Sequence, residues 1–161
     1  MSDLLWNEVA YFFDPEETGP LPDVRVPDAS VEDWQGVLDV VGASGWKYEY
    51  SEGGVVMSLP RAAAVLSRPE DAECALLRVW PVPDVLAVFR IDAAAEIDFD
   101  VDVRELQGQE WLDVFCGFLK AIGQRLAKPV LMDPQGKYGN PVLGFDVEAD
   151  RVVLLVEPPI M

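Results

Sequence analysis

Glu96, Asp98, Asp100 and Asp102 alternate with Ile97, Phe99 and Val101. Carboxylates in that pattern can coordinate calcium, supply an acid and a base, or present negative charge to a cationic partner. The D-x-D-x-D run also opens an EF-hand loop, but that loop fails at its two most demanding places. Val103 stands where the tight-turn Gly belongs, and Gln109 stands where the bidentate Glu belongs. A glycosidase-like pair needs two carboxyl groups whose pKa values are driven apart, and nothing in the sequence singles out two acids among so many. The interleaved apolar residues instead call for a strand with one buried face and one acidic face. Four like charges along one face repel each other, so the strip needs a reason, and a protein partner supplies one.

Composition closes most other chemistries. The chain has 161 residues and no His. That removes Ser–His–Asp and Cys–His nucleophiles, imidazole metal ligands and the HExxH zinc site. Cys74 and Cys116 form no CxxC, so no cysteine zinc site is expected, and both read as small buried hydrophobes in a reducing compartment. The loop around Gly136 and Gly139 lacks the P-loop pattern, although Lys137 and Tyr138 offer ligand contacts there. No cofactor and no metal are expected.

Twelve Lys and Arg against 29 Asp and Glu give a net charge of −17. Such a chain repels phosphate, which argues against nucleic acid and against anionic membrane surfaces. The acids are not evenly spread. Residues 1–39 hold ten acids against Arg25 alone, and residues 92–113 hold eight against Arg104 alone. Salt adaptation would spread acids over the whole surface, whereas two concentrated segments point to patches that steer a basic protein. The candidate partner-binding residues are Glu96, Asp98, Asp100 and Asp102, with Asp14, Glu16 and Glu17 from the first segment. No run approaches the roughly 18 apolar residues of a membrane span. Asp3 sits where a signal peptide carries positive charge. The expected location is therefore the cytoplasm.

The elements that must position these residues are legible as a single α+β domain, with six to eight mostly antiparallel strands on two or three helices. Leu4 to Phe13 has helical spacing. Asp23–Val26, in a Pro-rich stretch, reads as a short edge strand. Ser30 opens an S-x-x-D cap before Val31, Trp34, Leu38 and Val41, which predicts a helix over about 31–42. Trp46, Tyr48 and Tyr50 alternate up to a Glu52-Gly53-Gly54 turn, with Val55–Leu59 returning as a hairpin. Ala75–Trp80 and Val85–Asp92 form a second pair, and Ile97 to Val103 a further strand. The strongest helix runs from about Glu110 to Ala127, with Trp111, Phe115, Phe118, Ile122 and Leu126 on one stripe. A strand at Val130–Met132 and a hairpin of Val142–Val147 with Arg151–Val156 close the chain.

From Trp111 to Val156 the sequence reads WLDVFCGFLKAIGQRLAKPVLMDPQG and then PVLGFDVEADRVVLL. An amphipathic helix ending in an IGQRLAKPV-like step, then a strand, a Gly-containing loop and a closing hairpin, resembles the C-terminal part of small acidic bacterial proteins. Those include immunity proteins of polymorphic-toxin systems. The resemblance implies a non-enzymatic protein that binds and blocks a toxin domain, often a basic nuclease. The competing expectations are a regulatory or scaffold subunit with an apolar interface, including a homodimer through an edge strand, and a small-ligand-binding domain or carboxylate enzyme.

Overall fold

A computed structural model describes residues 2–157. In chain order it contains α1 (Trp6–Val9), a 3-10 turn (Ala10–Phe13), α2 (Pro15–Thr18), β1 (Asp23–Val26), α3 (Val31–Ala43), β2 (Lys47–Glu52) and β3 (Val55–Met57). There follow α4 (Ala62–Leu66), β4 (Ala75–Val82), β5 (Val85–Arg90), β6 (Ile97–Asp100), a second 3-10 turn (Val103–Glu105) and α5 (Gln109–Leu126). The chain closes with β7 (Val130–Asp133), β8 (Leu143–Asp146) and β9 (Arg151–Leu154). The fold is α+β; among the described residues its nine strands exceed the six to eight expected, and its five α-helices exceed the two or three expected because α1, α2 and α4 are short pieces of four or five residues. The strands form one antiparallel sheet in the order β3-β2-β4-β5-β6-β1-β7-β8-β9.

The register explains why the sheet holds. One cross-strand row runs Tyr50–Leu77–Phe89–Phe99–Val24–Met132–Leu143, and every member is buried. This row meets α5, whose Phe118 ring lies 5.4 Å from Phe99 edge-on, 6.2 Å from Phe89 and 4.9 Å from Trp46. Edge-to-face pairs at such spacings add to the gain from burial. α3 packs on α5 and sets Trp34 against Phe89, with the Trp34 indole N–H donating to the Ala93 carbonyl at 2.8 Å. The expected cap is present: Ser30 Oγ accepts from the Asp33 N–H at 3.2 Å. Both helices thus cover one face, and the two-residue period of the strands sends the alternate residues to the other face.

Five sequence expectations need correction. β1 is not an edge strand but lies between β6 and β7, because Pro22 and Pro27 flank it and leave every N–H within it free to pair. The helix expected from Leu4 to Phe13 breaks at Ala10 into a 3-10 turn. The strand expected to reach Val103 stops at Asp100, because Asp102 turns to accept a hydrogen bond from the Arg104 N–H at 2.9 Å. Tyr48 is exposed, and only Tyr50 of the β2 aromatics is buried. Cys116 is buried as expected, whereas Cys74 is exposed, and neither is in a disulfide. No helix among the described residues is long and apolar enough to cross a membrane.

α5 approaches β8 closely at Gly123, where an added Cβ would collide with the Phe145 ring. Gly123→Ala should therefore cost about 1–3 kcal/mol, as overpacking of a filled interior does. A chemical-denaturation midpoint measures it, and an unchanged or raised midpoint would contradict this close packing.

Candidate functional site

β6 turns Ile97 and Phe99 into the core and Asp98 and Asp100 to the helix-free face. The neighbouring β1 contributes Asp23, opposite Asp100, and Arg25, opposite Asp98. β7 adds Asp133, opposite Asp23. The two acid-rich segments of the sequence therefore meet as adjacent strands at the middle of the sheet.

Cations of the chain answer some of these acids. Asp133 has no exposed surface, and Arg25 forks onto it, Nε to Oδ2 at 2.7 Å and Nη2 to Oδ1 at 3.3 Å. Both guanidinium contacts are charge-assisted, which is what makes such a buried carboxylate tolerable. The Tyr138 ring lies over the same guanidinium, 5.1 Å from centroid to Cζ, and its hydroxyl donates to Glu96. Arg90 Nη1 bonds Asp100 Oδ2 at 2.8 Å, and Arg104 Nη2 bonds Asp102 Oδ2 at 2.7 Å.

Asp98 is different. It is half-buried, and no ion pair or hydrogen bond from a described residue reaches its carboxylate. Burial, followed by the charges of Asp92, Glu96 and Asp100, pushes its pKa up to about 6, against the opposing pull of Arg90. Asp23 is raised for the same reasons, burial first and then the Asp100 carboxyl beside it. Asp102 goes the other way, held down chiefly by its hydrogen bonds with Arg104.

Of the seven residues named from the sequence, Glu96, Asp98 and Asp100 share this face. Asp102 lines a cavity of about 270 Å³ beside Asp100, with Arg90, Leu86 and Val88. Asp14, Glu16 and Glu17 lie apart. Asp14 caps α2 by accepting from the Glu16 N–H at 2.9 Å. Glu17 lines a separate cavity of about 310 Å³ with Tyr11, Gln135 and Lys137. The loop that carries Gln135 and Lys137 goes on to place Tyr138 over Arg25 and Glu96.

Sequence reasoning missed Asp23, Arg25, Asp133 and Tyr138 as members of the face. Arg25 carried a signal, as the sole cation among ten acids, and D-V-R-V alternates. Asp133 carried none, because it ends a strand 108 positions from its partner. Among the described residues no group of three or more Asp, Glu or Cys is arranged to hold a metal ion. Comparison with protein-family models, with curated proteins and with solved structures finds no match.

Arg25→Ala leaves the Asp133 charge buried and unanswered and should cost about 3–5 kcal/mol of unfolding free energy. A loss under about 1 kcal/mol would show the pair to be dispensable. Asp98→Asn should act in the opposite direction. A carboxyl whose folded-state pKa is raised destabilises the fold once it ionises, so the penalty grows from about pH 4 to about pH 6 and is complete at pH 7. The variant should melt above the parent at pH 7, and the gap should close as pH falls through this window. A constant gap would mean that Asp98 does not titrate there.

Proposed function

We propose that this chain is a non-enzymatic acidic protein-binding domain that receives a basic protein on the helix-free face of its sheet. The observation that carries this reading is Asp98. A half-desolvated carboxylate among like charges, with no cation among the described residues bonded to it, costs the isolated fold stability. A Lys or Arg from a partner would relieve that cost, so the charge is better suited to a complex than to the free molecule. Around it the face is built for contact: Leu86 and Val88 flank the acids, and Tyr138 stands 58% exposed beside Glu96. Aromatic and aliphatic groups among directed charges are the usual composition of an interface centre.

The resemblance of residues 111–156 to immunity proteins supplies the kind of partner: a basic toxin domain, such as a nuclease, whose phosphate-binding surface the acidic face would occupy. The exposed Cys74 and buried Cys116, both free thiols, suit action in the cytoplasm.

The test is capture on the tagged chain from lysate of the source cell at about 50 mM salt, with release at about 500 mM, followed by titration of the purified partner. A single basic protein that is released by salt supports the reading. Its affinity should drop about tenfold or more in Glu96→Gln/Asp98→Asn. It should also weaken as pH falls from 7 to 5, because Asp98 takes up a proton near pH 6 and loses the charge that attracts the partner. A partner indifferent to salt and to the double substitution, or the capture of no basic protein, would overturn it.

A further inference from the structure

β3 closes one end of the sheet, and no strand among the described residues pairs with its outer backbone edge. Its three side chains are all apolar and all exposed, Val55 at 63%, Val56 at 62% and Met57 at 42%. Such an edge is a template for another strand, and proteins normally blunt it with charge, a bulge or a covering loop. Here residues 53–60 hold no charged residue, and only shortness and Pro60 limit the edge.

The distribution of charge says what occupant fits. Residues 40–82, which contain β2, β3 and β4, carry four Lys and Arg against five Asp and Glu, so this end of a −17 molecule is close to neutral. The charges of β2 are matched within the chain, Glu49 by Arg78 at 3.7 Å and Glu52 by Arg68 at 3.7 Å, while Lys47 sits over Trp80 at 4.9 Å. The other sheet edge, β9, is entered through Glu148 and Asp150.

We propose that β3 pairs antiparallel with β3 of a second copy, making a two-fold dimer with one continuous sheet. The segment is self-complementary. A two-fold axis at Val56 sets Val56 against its own equivalent and Val55 against Met57 of the second copy, with no charge facing a like charge. β6 lies four strands in from β3. At about 4.8 Å per strand the two acidic centres would stand about 43 Å apart, several times the Debye length of about 8 Å at physiological salt. The acidic faces stay free, so dimer formation and binding of a basic protein do not compete. The inference is independent of the function proposed above. The patch is small, which places the dimer among weak associations.

Sedimentation of the purified chain from about 1 μM to about 1 mM, the range of weak affinities, reads the outcome. A monomer–dimer equilibrium is expected, and it should strengthen as salt rises from about 10 mM to about 150 mM, where the Debye length falls from about 30 Å to about 8 Å, and level off above that. This is the reverse of the salt effect expected for a basic partner, so the two readings fail separately. Val56→Lys should weaken self-association about tenfold or more, whereas Val56→Thr should retain it, with thermal melts confirming that both variants fold. A monomer at every concentration and salt, or a dimer untouched by Val56→Lys, would overturn the proposal.

Discussion

The centre of the sheet rests on one buried ion pair. Arg25 on β1 and Asp133 at the end of β7 are joined by two hydrogen bonds, and the carboxylate has no exposed surface. A pair of this kind contributes less to net stability than an apolar pair of equal volume, but it tolerates few alternative arrangements. It acts in the same sense as the buried Val24 and Val26 in setting which side of β1 faces the helices. A slip of one residue would send Arg25 into the apolar row and bring Val24 and Val26 out. The register of β1 against β6 and β7 then decides where Asp23, Asp98 and Asp100 lie.

The two faces of the sheet are therefore opposite answers to one alternation. The inward residues of β5, β6, β1 and β7 make a continuous apolar row under Phe118 and Trp34. The outward residues of the same strands concentrate carboxylates at the middle. Burial on the inner face opposes the repulsion on the outer face, and β6 holds its acids from a strand paired on both sides. Tyr138 links the outer face to a loop by stacking on Arg25 and bonding Glu96. The acids of this face thus belong to one connected polar surface, with Asp98 as its least compensated member.

Elements with strong periodicity were legible in the sequence. The capped helix begun by Ser30 and the long helix of Phe115, Phe118 and Ile122 stand within one or two residues of expectation, as do the Gly53-Gly54 hairpin and the acid-out pattern of Asp98 and Asp100. Gly53 and Gly54 both take positive φ, 57° and 83°, as a tight hairpin turn of that hand requires. Strand order was not legible, because pairing between β1 and β7 is a contact between distant parts of the chain and leaves no local mark. The position of β1 was misread for a related reason. Flanking prolines look the same in a sequence whether the strand between them is central or peripheral. The side-chain turn at Asp102 was hidden by an alternation that continued through Val103 after the pairing had ended. At the site, the acids of β6 were visible from their own spacing, whereas Arg90, which answers Asp100, and Arg25, which answers Asp133, came from other strands.

The position of β1 also governs the order in which the molecule can be assembled. The strand leaves the ribosome before both of its neighbours, β6 and β7, and its buried arginine is paid no electrostatic compensation until residue 133 has been made. The β2–β3 and β4–β5 hairpins can form as soon as they are synthesised, since their strands are adjacent in the chain. β1 cannot. Closure of the sheet around β1 must wait for β7, whose Asp133 lies 108 positions beyond Arg25, and the distance over which these central contacts are formed makes folding slow. Until β6 is made the nascent protein carries β1 unpaired, with Val24 and Val26 uncovered, and until β7 follows one edge of β1 stays open.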